Sequence, residues 1–320
     1  MPSFFGGLLP SRPAQVDLGR AVRDVVRTHI PAYRDAVTEA AAVLPDVSPW
    51  PQSALTLVHR STADLLLHPD SSPALRELLV RFVQGGLIRS PHLRGRLRAE
   101  MLRPKLVAAV TEHIAERRAA GGRADAPRDV LDAVIGACPE EVTDRTVAGL
   151  YVLLVVSIVG PTGYAVAWSV LLACLHHRPG SSWPWPADWI AREAARHRPV
   201  TWMVGRPVPH PAEYGGISLQ AGTTLSVSPY LLHHDKDRWS DPERFRPERW
   251  DEPKKCGPYL PFSAGPFTCS GAAVAQTLVT EAVAALSSGG RLSVRGGDMR
   301  PVVTDGAVPR AFELQRIPTR

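Results

Sequence analysis

The stretch FSAGPFTCSGAAVA, residues 262–275, sets one cysteine, Cys269, between a glycine-rich loop and an alanine-rich run of helical character. Gly265 and Gly271 allow the backbone to approach a flat ligand closely. A helix beginning near Ser270 would place free N–H groups and the positive end of its dipole beside the sulfur. Those are the conditions under which a thiolate serves as a metal ligand. Taken alone, the stretch also fits a loop over a buried, inert thiol, the commoner fate of a free cysteine. Zinc fits poorly, because Cys256, His233 and His234 are the nearby candidates and their spacings match no common finger.

The chain around this loop has 320 residues, 44% hydrophobic and 21% charged, enough to bury a large core without disulfides or metals. Cys138, Cys174, Cys256 and Cys269 are widely spaced and form no CxxC pair, so a reducing cytoplasm is the expected setting. The formal charge is +6, but with no block of consecutive basic residues, which favours charge spread over solvated helix faces rather than a nucleic-acid partner. MPSFFGGLLPSRP lacks the basic segment and long apolar run of an export signal. From Thr146 to Leu175 no side chain is charged, a length that can span a bilayer. Ser157, Gly160, Pro161, Thr162 and Gly163 interrupt it at the centre, which suits a buried, kinked central helix and no membrane.

Upstream, segments near Val16–Leu44, Pro51–Leu67, Pro73–Val83, Leu93–Ala119 and Arg128–Ala137 carry apolar residues at helical spacing between Pro, Gly and Ser punctuation. WIAREAARHR is a compact helix stopped by Pro199. TWMVG, GGISL and TTLSV look like short strands, Leu231–Phe262 like a long ordered loop, and Ser270–Leu286 like a helix. RLSVR and RAFELQ suit a terminal hairpin. No internal repeat, low-complexity tract or interdomain linker interrupts this order.

Three motifs share one order: EAAR at 193–196, HHDKDRWSDPERFRPERW at 233–250 and FSAGPFTCSG at 262–271. In these the chain resembles the cytochrome P450 superfamily of heme-thiolate proteins, closely over its C-terminal half and, by order of helices, over most of the rest. The resemblance implies a mainly α, P450-like helical fold with small β-sheets, lacking the usual N-terminal strands and first helices. It implies a single truncated domain over 1–320, helical to about 198 and mixed strand, loop and heme-binding from about 199. Heme b would be the cofactor, with Cys269 as the axial iron ligand, Phe262 shielding the sulfur, and Gly265, Phe267 and Gly271 around it. Glu193, Arg196 and Arg249 would form a structural charge triad. Arg206 and Arg23 would meet the propionates, although Gly19 replaces the aromatic or histidine companion usual four residues before the latter.

Three departures shape the functional expectation. Phe267 stands where the family usually has Arg or His for a propionate, and a lost charge-assisted hydrogen bond removes about 1.5–3 kcal/mol. Aligning AVAW at 165–168 with the family's long helix sets Gly160 at the usual acid and Pro161 at the usual threonine, which leaves Thr162 as the nearest hydroxyl. Pro161 also frees the carbonyl of Ser157. The resemblance further implies that the chain starts after the loop that caps the substrate, leaving the pocket to be closed by FFGGLLP or by another chain. The leading expectation is a heme-thiolate enzyme acting on a small, secondary-metabolite-like substrate by peroxide- or substrate-assisted oxidation, or by non-oxidative rearrangement, dehydration or cyclisation. The alternatives are a conventional monooxygenase fed by ferredoxin and reductase, and a heme-free auxiliary partner of a biosynthetic enzyme such as a glycosyltransferase. Homo-oligomerisation is open.

Overall fold

The computed structural model describes residues 8–86, 93–119, 126–265, 268–288, 290–304 and 306–317, with side chains described outside 86–100. Its helices are α1 (Arg12–Thr28), α2 (Ile30–Ala42), α3 (Gln52–Leu66), α4 (Pro73–Gly86), α5 (Leu93–Ala119), α6 (Val130–Ala137), α7 (Asp144–His176), α8 (Ala187–His197), α9 (Pro229–His233) and α10 (Ala272–Ser288). The expected helix over Val16–Leu44 is two helices. Pro31 has no N–H to continue the first ladder, so the chain restarts after His29. Of FFGGLLP, Phe4 to Gly7 lie outside the described residues, whereas Leu9 is buried in the core.

α7 is the helix with the most packing partners. Thr143 caps its start by accepting from the Thr146 N–H at 3.3 Å, and it runs unbroken through Pro161. It is long and apolar enough to cross a membrane, yet 61% of its most apolar window is buried, and α3, α5, α8 and α10 pack against it. The contact with α3 is made by backbone. A Cβ added at Gly163 would sit 2.7 Å from Leu55 Cδ2 and 3.0 Å from Leu55 Cα. Glycine there sets the separation of the two helices.

The strands form small sheets. β1 (Val47–Trp50), which sequence periodicity missed, pairs antiparallel with β9 (Phe312–Ile317), and β9 pairs with β6 (Arg291–Arg295), the expected terminal pair. β2 (Val204–Pro207) pairs with β5 (Thr224–Val227). β3 (Ala212–Tyr214) and β4 (Ile217–Leu219) close a hairpin across Gly215 and Gly216, both at positive φ as such a two-residue turn requires. β7 (Pro301–Val303) and β8 (Ala307–Pro309) make a further antiparallel pair.

The long segment after α9 has little regular structure and is held by charge instead. Both oxygens of the fully buried Glu193 on α8 are occupied. Oε1 accepts from Arg196 Nη2 at 2.9 Å, Arg249 Nε at 3.1 Å and the Arg246 N–H at 2.9 Å; Oε2 accepts from Arg196 Nε at 3.0 Å and Trp250 Nε1 at 3.1 Å. Arg196 spends its remaining donors on the carbonyls of His233, Pro242 and Arg244. Arg249 binds those of Ser240, Asp241 and Arg244. Both guanidinium groups lie over the Trp239 ring, 5.2 and 5.9 Å from its centroid. The three charged residues singled out in the sequence are therefore one buried cluster that replaces a missing sheet ladder for 233–250.

Glu193→Gln would leave two largely buried guanidinium groups without their carboxylate, a loss of about 3–5 kcal/mol, read as a fall in Tm and checked by calorimetry. Gly163→Ala drives a methyl into Leu55 and should cost about 1–3 kcal/mol. Gly160→Ala, where an added Cβ meets nothing within 4 Å, should hold or raise Tm through helix propensity. Burial also holds His59 and His233 neutral, their pKa values pushed down to about 4. Because an unfolded histidine titrates near 6.5, the unfolded state binds more protons between pH 6.5 and 4. Stability present above that window is lost on acidification through it, by about 2 kcal/mol per residue between pH 7 and 5. A Tm flat over that interval would contradict this assignment.

Candidate active site

The cysteine loop is built from tight turns. The Ser263 N–H donates to the Leu260 carbonyl at 3.2 Å, with Ser263 at φ 65° and Gly265 at φ 60°. Thr268 closes the next turn onto the Gly265 carbonyl through its N–H at 3.1 Å and its Oγ1 at 2.9 Å. The Cys269 N–H then returns to the Phe262 carbonyl at 2.9 Å, and Ala272 at the start of α10 donates to the Cys269 carbonyl at 3.1 Å. The Cys269 side chain is left exposed at the mouth of α10.

The other cysteines are different in kind. Cys138 and Cys174 are buried, and burial pushes their thiols up to about 11 and 12. Cys256 is half-buried, its thiol likewise raised by burial, with Sγ donating to the Arg249 carbonyl at 3.2 Å. His233 commits both ring nitrogens to backbone groups. Among the described residues no cluster of three or more His, Cys, Asp or Glu side chains could hold a metal ion, so the weak zinc alternative gains no ligand set.

Around Cys269, Phe262 is half-buried, Gly265 is exposed, and a Cβ added at Gly271 would stand 3.8 Å from the sulfur. Phe267 lies outside the described residues. α1 approaches from the other side. A Cβ at Gly19 would come within 3.0 Å of Ser270 Oγ, so the glycine in place of a bulky companion lets α1 press against the residue that follows the cysteine. Arg23 is one turn further along α1, 30% exposed, with Nε and Nη2 both 3.2 Å from Asp24 Oδ1. Arg206 is on β2 opposite Leu225, its side chain exposed.

α7 contributes the other candidate surface. Its central turns are buried on most sides, but Ser157, Ile158, Pro161, Tyr164 and Ala165 form an accessible stripe at helical spacing. Pro161 is exposed, Gly160 beside it borders open space, and Thr162 is 4% exposed. Ser157 Oγ donates to the Leu153 carbonyl at 2.7 Å. Tyr164, one turn past Gly160, was not singled out in the sequence, although its four-residue offset from Gly160 places it on the same face. Burial raises its pKa, so the phenol stays protonated.

A flat macrocycle bound through sulfur needs bare backbone beside the ligand atom and a wall without protruding side chains. Gly265 and Gly271 meet the first need, Gly160 and Pro161 the second, so these residues fit a heme. Cavities of about 380 and 350 Å³ lie elsewhere, between α3 and α4 and beside β1 and β9, and neither is lined by Cys269 or the α7 stripe.

A family model described as Cytochrome P450 matches residues 187–286, from the start of α8 into the last turn of α10. The chain is 39% identical over 107 residues to cyclooctat-9-en-7-ol 5-monooxygenase of Streptomyces melanosporofaciens, covering 32% of this chain and 23% of that protein. It is 29% identical over 202 residues to cyclooctatin synthase of the same organism, covering 54% and 44%. The chain thus matches less than half the length of these curated relatives. In structure it superposes on P450 OxyD, described as involved in the biosynthesis of vancomycin-type antibiotics, with a TM-score of 0.77 at 16% identity, over 99% of this chain and 81% of that one. Family match, fold and motif order agree: the chain has the cytochrome P450 fold over nearly its whole length, and its segment 187–286 matches the cytochrome P450 family.

Proposed function

We propose that this chain is a heme-thiolate enzyme acting on a small organic, secondary-metabolite-like substrate in the cytoplasm, by chemistry other than ordinary monooxygenation. The observation that carries the heme-thiolate reading is the exposed Cys269, anchored through its N–H to Phe262 and bordered by Gly265 and Gly271. Cys269 would be the axial ligand, Phe262 would lie beside its sulfur, and Arg23 and Arg206 would meet the propionates. For Arg23 this means giving up Asp24. Phe267 supplies no cation, so the propionates rely on fewer partners. When bound, heme supplies redox and Lewis-acid chemistry at iron, with electron density donated by the thiolate.

The protein's own groups support the atypical part of the reading. On α7, the exposed Pro161 and the buried Gly160 beside it offer neither acid nor alcohol. The Thr162 hydroxyl is buried, and Ser157 Oγ already donates its proton to the Leu153 carbonyl. The stripe's phenolic proton, on Tyr164 Oη, is held tightly by burial. Proton delivery therefore falls to substrate hydroxyls or water, or the reaction does without it, as in peroxide-driven oxidation or in rearrangement, dehydration or cyclisation. The similarity to a monooxygenase favours a second reading, conventional oxidation fed by ferredoxin and reductase, with water supplying the missing relay.

The deciding experiment is an absorption spectrum of the purified protein after hemin loading, reduction and exposure to carbon monoxide. The wild type should show the thiolate band and Cys269→Ala should lose it; a variant that keeps the band and activity removes Cys269 from the site. Turnover with peroxide alone, or with no oxidant, is expected. Turnover that requires ferredoxin and reductase would establish the second reading instead.

A further inference from the structure

One buried side chain joins the Cys269 loop to the Glu193 cluster: His233, the last residue of α9. Its Nε2 accepts from the Leu260 N–H at 2.9 Å, which fixes the tautomer, so the proton is on Nδ1 and is donated to the Arg196 carbonyl at 3.1 Å. Arg196 Nη1 returns a hydrogen bond to the His233 carbonyl at 2.8 Å. The ring lies nearly parallel to Tyr259, with centroids 5.8 Å apart, and edge-on to Trp239 at 6.0 Å, so neighbours on two sides restrict its rotation. Leu260 opens the cysteine loop. Its carbonyl accepts the Ser263 N–H, and two residues on, Phe262 receives the Cys269 N–H.

We propose that His233 is a positioning residue for the Cys269 loop, with Nε2 holding Leu260 and thereby the Phe262 carbonyl on which Cys269 is anchored. The functional weight of this role rests on the heme-thiolate reading; the mechanical role does not. Protein scaffolding reaches the sulfur by a continuous path: Glu193 fixes Arg196, Arg196 fixes His233, and His233 fixes the first turn of the loop. Removing the acceptor strands a backbone N–H, since among the described residues the Leu260 N–H makes no bond to a backbone carbonyl.

Two substitutions separate this role from packing. His233→Gln can place Oε1 where Nε2 stands and keep an acceptor for Leu260. His233→Asn keeps a donor near Nδ1 and leaves the Leu260 N–H without an acceptor. Amide hydrogen exchange in the full chain without hemin reads the outcome, with α7 as internal reference. In His233→Asn, exchange at Leu260 and Cys269 should accelerate on the order of tenfold while α7 is unchanged, and His233→Gln should restore protection. Asparagine exchanging like wild type, glutamine exchanging as fast as asparagine, or acceleration shared equally by α7 would each overturn the proposal. A parallel hemin-loaded arm should show the thiolate band weakened in His233→Asn and kept in His233→Gln. A wild type that takes up no hemin sinks the heme reading, while the exchange data still decide the role of His233.

Discussion

The structure depends on a carboxylate taken out of water. Glu193 is fully buried, and its cost is offset only because five donors converge on two oxygens. Replacing such a cluster by apolar residues can be neutral for stability in general, so its presence here is better understood as specification. The segment 233–250 contains only short helical turns, and a loop of that length would sample many conformations. The two arginines bind carbonyls that a sheet or helix would otherwise satisfy. They convert sequence with little secondary-structure propensity into a rigid base on which the cysteine loop stands.

That base and α7 impose opposite demands on the same fold. The helix is mostly buried and joined to α3 by glycine against backbone. Its accessible stripe is short, and Pro161 at its centre, with the buried Gly160 beside it, has nothing with which to do acid–base work. Tight packing keeps the stripe in place. Under the proposed function, a stripe so poor in transferable protons suits reactions in which substrate or oxidant brings its own.

Much of this was legible in the sequence. Helical spacing marked α3, α4, α5 and α6 to within a few residues; spacing alone showed only that Glu193 and Arg196 can pair, and it was the family resemblance that joined Arg249 to them as a cluster. Cys269 stood out through its glycines. Other features were hidden for physical reasons. β1 is four residues containing a proline and is defined only by its distant partner β9. Pro31 splits the first helix without disturbing its apolar pattern. The burial of Thr162 beside an exposed Pro161 depends on helix rotation, which the alignment of AVAW could not fix. His233 opens the motif at 233–250, but nothing in the sequence marks its positioning role, which comes from two backbone groups, one at Arg196 and one at Leu260, that are distant in sequence and brought together by the fold.

The central claim is that this scaffold delivers the Cys269 sulfur to iron. X-ray absorption at the iron edge of the hemin-loaded protein measures that directly. The account predicts a sulfur atom bonded to iron in the wild type and its loss in Cys269→Ser. An iron bound only by nitrogen and oxygen, or a sulfur that persists in the variant, would contradict it.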